Sequence, residues 1–305
     1  MTEVVIQVED FRKTYGKVRA VDGISFEVKR GEIFGLLGPN GAGKTSTLES
    51  LEGLRRPDGG RLRVAGVDPA HQARQLRNLI GVQLQASALP DSFSVEEAMR
   101  FFCAYHGVEP RDDLIERVGL GDKRRAQYLE LSGGQQRRLA LALAVAHRPP
   151  VVILDEPTAG LDVASRVMLH ELMRELQASD TTILLATHDM AEASGMATRV
   201  AILLKGTIAA LGTPLELTAT GAGLTKISVS SENASLARPE ATFPSVRQMQ
   251  RREDYFVYFC TDVGPTVAAL IAYLNAQGDP LIDLRVERPS LEDRFLEITM
   301  PESVR

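Results

Sequence analysis

The chain has 305 residues, 44% hydrophobic and 25% charged, with a formal net charge of −5 and a pI near 5.7. That length fits about two domains and the composition fits a globular protein with a substantial core, while the acidic balance argues against a polyanion-binding surface. Cys103 and Cys260 lie far apart, make no metal-ligand spacing and read as buried thiols of a reducing compartment.

The N-terminus is acidic and strand-like, with no secretory pattern. No apolar run approaches the length of a membrane span, about 18 residues or more. The longest candidate, Leu139 to Ala146, is bounded by Arg138 and His147, so any membrane role is expected to come through a partner.

In chain order, Val4-Ile6-Val8 and Ile24-Phe26-Val28 alternate as half-buried strands. The apolar run Ile33 to Leu37 reads as a buried strand leading into Gly38-Pro39-Asn40-Gly41-Ala42-Gly43-Lys44-Thr45, with Leu48, Leu51 and Leu54 at helical spacing beyond. This is G-x-x-x-x-G-K-[ST] between a strand and a helix, the loop that wraps nucleotide phosphates in backbone N–H groups. Lys44 is placed to meet the β- and γ-phosphates and Thr45 to ligate Mg²⁺. A turn at Pro57-Asp58-Gly59-Gly60 precedes the strand Leu62-Val64.

From about Leu84 to Leu131 the pattern is mostly helical, with Val95, Met99 and Phe102 and then Leu114, Ile115 and Val118 at helical spacing. Leu131-Ser132-Gly133-Gly134-Gln135 opens another helix as a second potential phosphate clamp, with Ser132 as N-cap. The Leu/Ala alternation from Leu139 to Val145 mimics a strand, but its residues are strong helix formers and Pro149-Pro150 end it. Val151 to Leu154 is a buried strand tipped by Asp155 and Glu156, Ala164 to Gln177 a helix, and Thr181 to Thr187 a second buried strand, which implies a parallel sheet. Asp155 fits a metal-side carboxylate. Glu156, expected to point elsewhere because strand side chains alternate, is the candidate general base.

Beyond Gly212-Thr213-Pro214, Gly221-Ala222-Gly223 reads as a linker to a small α+β domain. Its expected elements are strands at Lys226 to Ser230, Tyr255 to Cys260 and Ile282 to Val286, a helix over Val267 to Asn275, and a short helix opened by the capping box Ser290 to Asp293.

Taken together, these motifs resemble the nucleotide-binding domain of ABC transporters across residues 1–215. The resemblance implies an α/β fold: a P-loop NTPase (RecA-like) core with an antiparallel β subdomain, a helical signature subdomain over about 86–138, and here a C-terminal accessory α+β domain over 224–305. Gly38 to Thr45, with Ser46, correspond to the Walker A loop, Ile153 to Glu156 to Walker B, Leu131 to Gln135 to the signature, and Ala159 to Asp162 to the D-loop. His188 resembles the switch histidine, Gln85 the Q-loop glutamine on the metal side (Gln83 is its near rival), and Tyr15 the aromatic on which adenine stacks.

By this resemblance the cofactors are ATP and Mg²⁺, with Thr45, Gln85 and Asp155 around the metal and Glu156, His188 and Lys44 catalytic. Two such domains, expected as a homodimer, pair head to tail, so that Ser132, Gly133, Gly134, Gln135 and Asp162 of one complete the nucleotide site of the other. Pro289 to Thr299 is similar to the ending of ATP-binding subunits that work with ABC-2 type permeases in efflux of drugs, antibiotics, lipids or polysaccharides. That implies a cytoplasmic protein, peripheral on the membrane, with a permease-receiving groove on the helical subdomain and no nucleic-acid partner. The alternative is a non-transport ABC ATPase of repair, translation or assembly, although no coiled-coil arm and no second cassette is present. A GTPase or small-molecule kinase would need a guanine-reading N-K-x-D or an acceptor lid, and would leave Leu131 to Gln135 unexplained.

Overall fold

The computed structural model describes residues 3–84, 89–219 and 224–299. Gln85 and the stretch Gly221-Ala222-Gly223 lie outside the described residues. The chain divides into two compact units, Met1–Pro214 and Leu215–Arg305.

In the first unit β1 (Val4–Tyr15), β2 (Val18–Lys29), β3 (Ile33–Leu37), α1 (Lys44–Leu51) and β4 (Gly59–Val64) follow one another. Strands β2, β1 and β4 form an antiparallel sheet in that order. Its register sets Val8 opposite Phe26 and Leu62, and Ile6 opposite Val28 and Val64. Residues directly opposite share a face, so period-two alternation puts all six on one buried side. That side belongs to one core with Phe34, Leu48, Leu51 and Leu184, and Phe26 stacks on Phe34 with centroids 5.1 Å apart.

Next come α2 (Ala73–Leu76), β5 (Ile80–Gln83), α3 (Val95–His106), α4 (Asp112–Arg117), α5 (Gly133–Val145), β6 (Val151–Asp155), α6 (Val163–Ala178), β7 (Thr182–Thr187), α7 (Met190–Met196), β8 (Arg199–Leu204) and β9 (Thr207–Gly212). The second sheet runs β5-β6-β7-β3-β8-β9. All its pairings are parallel except β8 with β9. Strands β3, β6 and β7 are buried along their whole length, as strands covered on both faces must be. Because β7 lies between β6 and β3, the loops after Leu37, Asp155 and Thr187 leave the same sheet edge side by side. At that carboxyl edge a parallel sheet collects its ligand-binding groups.

Helix α3 begins at a complete capping box of Ser94 and Glu97. Helix α5 seats directly on β5, where a Cβ on Gly81 would lie 2.0 Å from the Ala144 carbonyl oxygen. No residue larger than glycine fits that contact. The ambiguous Leu/Ala stretch is thus the buried half of a helix whose alanines let it approach the sheet closely.

The second unit contains most of α8 (Pro214–Ala219), then β10 (Thr225–Ser231), β11 (Val246–Arg252), β12 (Tyr255–Cys260), α9 (Val263–Gln277), β13 (Leu281–Glu287) and α10 (Leu291–Thr299). Its antiparallel sheet runs β11-β12-β10-β13, and Ile227, Val229, Phe256 and Tyr258 pack with Leu270 and Leu274 of α9. Asp279 is buried there, accepting from the Ser231 hydroxyl at 2.8 Å and from the amides of Asn233 and Ser235 at 2.7 and 2.8 Å. Burial pushes its carboxyl up, but the bonds from Ser235, Asn233 and Ser231 outweigh that and hold it at about 2. Ser290 and Asp293 exchange the two bonds of a capping box at the start of α10.

The sequence reading omitted four strands. Strand β5 is only four residues long, and β11 carries Arg247, Gln248, Gln250, Arg251 and Arg252 as a mostly exposed edge. Strands β8 and β9 form a hairpin of small apolar residues whose β9 alternation is faint.

Candidate functional site

Helix α1 starts at Gly43, whose φ of 105° and a Cβ position only 2.6 Å from the Ala20 carbonyl oxygen exclude any larger residue. No side chain caps this helix, so the amides of its first turn are left for an outside acceptor. Lys44 folds back inside the loop, 6% exposed, and its Nζ donates to the Gly38 carbonyl at 2.6 Å and the Pro39 carbonyl at 3.4 Å. Burial lowers its pKa, opposed by the charges of Glu156 and Asp155. Around this loop is a cleft of about 420 Å³ lined by Tyr15, Val18, Arg19, Pro39, Asn40, Gly41, Gly43, Lys44, Thr45, Ser46, Asp155 and Glu156. Ala42 is buried behind it. Tyr15 is half exposed at the rim, with the Lys13 ammonium 5.5 Å from its ring centre.

Two acids close the cleft. Asp155, the last residue of β6, comes within 3.5 Å of the Thr45 hydroxyl, and burial followed by the Glu156 charge raises its pKa. Glu156 corrects the expectation that strand alternation turns it away. It lies just past the strand with a φ of 50°, and that left-handed turn brings its carboxylate back into the same cleft. A non-glycine residue in that conformation is strained, and such strain persists only where its surroundings hold it. Here Oε1 lies 3.9 Å from Lys44 Nζ, Oε2 lies 2.8 Å from His188 Nδ1, and its backbone carbonyl accepts from Arg137 at 2.5 Å. His188 follows β7 directly and its ring is mostly exposed.

The structure does not bring Ser132, Gly133, Gly134, Gln135 or Asp162 to this cleft. Ser132 caps α5, accepting from the Gln135 amide at 3.3 Å while the Gln135 side chain accepts from the Ser132 amide at 2.8 Å. Both Ser132 and Gly133 are exposed, so this helix start lies at the surface. Asp162 caps α6 by accepting from the Ser165 amide at 2.8 Å and hydroxyl at 2.9 Å. Gln83, the rival of Gln85, is buried at the end of β5 and lines a different, apolar groove rather than the nucleotide cleft.

Several supporting residues were not legible. Glu192 on α7 is buried, accepts from the Thr158 hydroxyl at 2.7 Å and lies 3.1 Å from His170 Nε2, which ties the segments after Glu156 and His188 together. Arg19 and Lys205 add positive charge to the cleft wall. Each of these groups is an ordinary surface-type residue in sequence. No signal short of the contacts themselves separates them from solvated charges.

A protein-family model described as "ABC transporter" matches residues 21–159. The chain is 38% identical to the Nod factor export ATP-binding protein I of Paraburkholderia xenovorans (strain LB400), over 98% of each chain. It is 34% identical to the daunorubicin resistance ATP-binding protein DrrA3 of Streptomyces coeruleorubidus, over 98% of this chain and 97% of that one. A solved ATP-binding subunit of an ABC transporter superposes with a TM-score of 0.67 at 27% identity, covering 70% of this chain and 92% of its own.

Proposed function

The chain belongs to the ABC transporter family, whose cassette binds and hydrolyses ATP, and on that premise we propose that it energises export through a separate membrane permease. The relatives named for Nod factor export and daunorubicin resistance support export as the direction. An ABC-2 type permease is the partner that the Pro289 to Thr299 ending favours. Among the described residues no helix is long and apolar enough to cross a membrane.

In this reading the Gly38 to Ser46 loop and Lys44 hold the phosphates and Tyr15 stacks on the base. Thr45 and Asp155 offer only oxygen donors, which suits Mg²⁺, and the raised pKa of Asp155 marks a buried carboxylate short of positive charge. Bound there, Mg²⁺ would supply charge neutralisation between the phosphates. Glu156 acts on the attacking water, and His188 holds its carboxylate in place from the other side. Gln85 would complete the metal side.

The observation that carries the head-to-tail dimer is the division of the machinery. One half lines the cleft, while the helix start at Ser132 and Gly133 is exposed elsewhere on the same chain. Dispersed transition-state charge needs preorganised donors, and a second copy can bring that helix start to the cleft. ATP-driven closure and hydrolysis-driven reopening would then shift the permease between access states. A groove of about 400 Å³ lined by Leu54, Leu84, Leu89, Phe102, Tyr105 and Leu143 supports docking of a cytoplasmic permease helix on this unit.

The test is mass by light scattering of Glu156→Gln in Mg-ATP, with co-purification from membranes. A doubled mass and a co-purifying polytopic membrane protein are expected. A strictly single species removes the dimer, and turnover stimulated only by ribosomes or DNA removes the transport assignment.

A further inference from the structure

The apolar groove has a polar floor that the docking role does not by itself explain. Glu52, the residue that ends α1, is 8% exposed, and Gln83, the last residue of β5, is 3% exposed. Both line the groove, and both hold an oxygen, Glu52 Oε2 and Gln83 Oε1, with no hydrogen-bond partner among the described residues. Buried polar atoms are nearly always satisfied, so two orphaned oxygens in one groove, one of them the acceptor-only amide oxygen of Gln83, point to a donor that arrives from outside.

The remaining polar groups of the groove do not fill that need. Arg77 donates to the Tyr105 hydroxyl at 2.8 Å and to the Ala73 carbonyl at 3.3 Å. His106 and His147 stack face to face, with ring centres 3.7 Å apart, and the buried His106 Nδ1 has no partner among the described residues. The walls are apolar, and Leu54, Leu84 and Tyr105 are strongly exposed on them. An occupant of this groove must therefore combine an apolar face with at least one strong donor set into it.

Resting on the reading that the groove receives the membrane partner, we propose that Glu52 and Gln83 form its specificity site. The occupant is an amphipathic helix of the permease that carries a Lys or Arg on its apolar face. The cation donates to Glu52 Oε2 and, where it is forked, also to Gln83 Oε1. Burial keeps a proton on Glu52 in the empty groove, and the arriving cation releases that proton to solvent; the resulting carboxylate makes the bond charge-assisted, and removing it leaves a buried cation unpaired. A helix of the same shape with only apolar residues, or with an acid at that position, would be rejected.

The test places the photo-reactive residue benzoyl-phenylalanine at Leu54 of the full chain, expressed in its own host, and identifies the crosslinked segment by mass spectrometry. The expected segment is a cytoplasmic helix of a polytopic membrane protein with a Lys or Arg among apolar residues. Its yield should fall about tenfold or more in Glu52→Leu and by a smaller factor in Glu52→Gln, which keeps an acceptor but not the charge. Exchanging the charges, with Glu52→Lys set against an acid at the partner position, should restore it. A crosslinked helix without a donor, an unchanged yield in Glu52→Leu, or a crosslink to a second copy of this chain overturns the proposal and leaves the transport reading standing. If no membrane protein crosslinks while ATP turnover is intact, the docking reading itself fails. Should Glu52→Leu not fold, Glu52→Gln decides, because loss of a charge-assisted bond must lower the yield and an unchanged yield overturns the proposal.

Discussion

Glu52→Gln should stabilise the isolated protein. Burial, followed by the charges of Asp155 and Glu49, lifts the Glu52 carboxyl from 4.5 to about 8. A carboxyl with a raised pKa binds its proton more tightly when folded, so its stabilising contribution is complete below the unfolded value. That contribution is lost as pH climbs through the folded one. At pH 7 about 2.5 pH units of this loss have accrued, or about 3 kcal/mol. At pH 5 the loss is under about 1 kcal/mol, and at pH 8.5 it reaches about 4–5 kcal/mol. An isosteric amide never ionises, so it removes the penalty and keeps the shape. For a unit of this size each kcal/mol is about 2–4 °C, which places the gain at pH 7 near 6–12 °C. The assay is thermal unfolding followed by circular dichroism for both proteins at pH 5, 7 and 8.5. A gain that does not grow with pH, or a variant that melts lower at pH 8.5, would refute the reasoning.

Glu156→Gln should keep ATP binding by equilibrium dialysis and lower turnover by about a hundredfold or more, as loss of a general base does; near-normal phosphate release would remove Glu156 from that role. Lys44→Ala deletes the one ammonium held inside the phosphate loop, and at least a tenfold weaker Kd for ATP is expected, with an unchanged Kd counting against the loop assignment. Asp279→Asn should lower the melting temperature of the C-terminal unit at pH 7 and flatten its acid limb. Because the Asp279 carboxyl is depressed to about 2, its contribution is present above pH 3.8 and fades as pH falls toward 2. An acid-unfolding curve identical to the parent would show that its bonds to Ser231, Asn233 and Ser235 contribute nothing.

Much of the site was legible because phosphate chemistry fixes residue type and spacing over short distances. The glycines, Lys44 and Thr45 lie within one loop, and a buried run ending in Asp155 announces its own exit from the sheet. Ser132 was recognisable as a helix cap for the same reason, since a cap is a contact between residues three apart. The error over Glu156 came from extending strand alternation one residue too far. Its φ of 50° accompanies contacts with Lys44, His188 and Arg137, which no local pattern connects to it.

By itself the chain's order of residues determined the phosphate loop, the paired acids, the signature turn and the alternation that sorts each strand into inner and outer faces. Only tertiary structure decided which of these meet. The placement of β7 between β6 and β3 gathers Lys44, Asp155, Glu156 and His188, and the same packing leaves Ser132 outside on the surface. It also buries Glu52 and Gln83 together beneath an apolar groove. Local chemistry is written in neighbouring residues, whereas burial and the orphaning of a polar atom depend on segments that approach only once the sheet has formed.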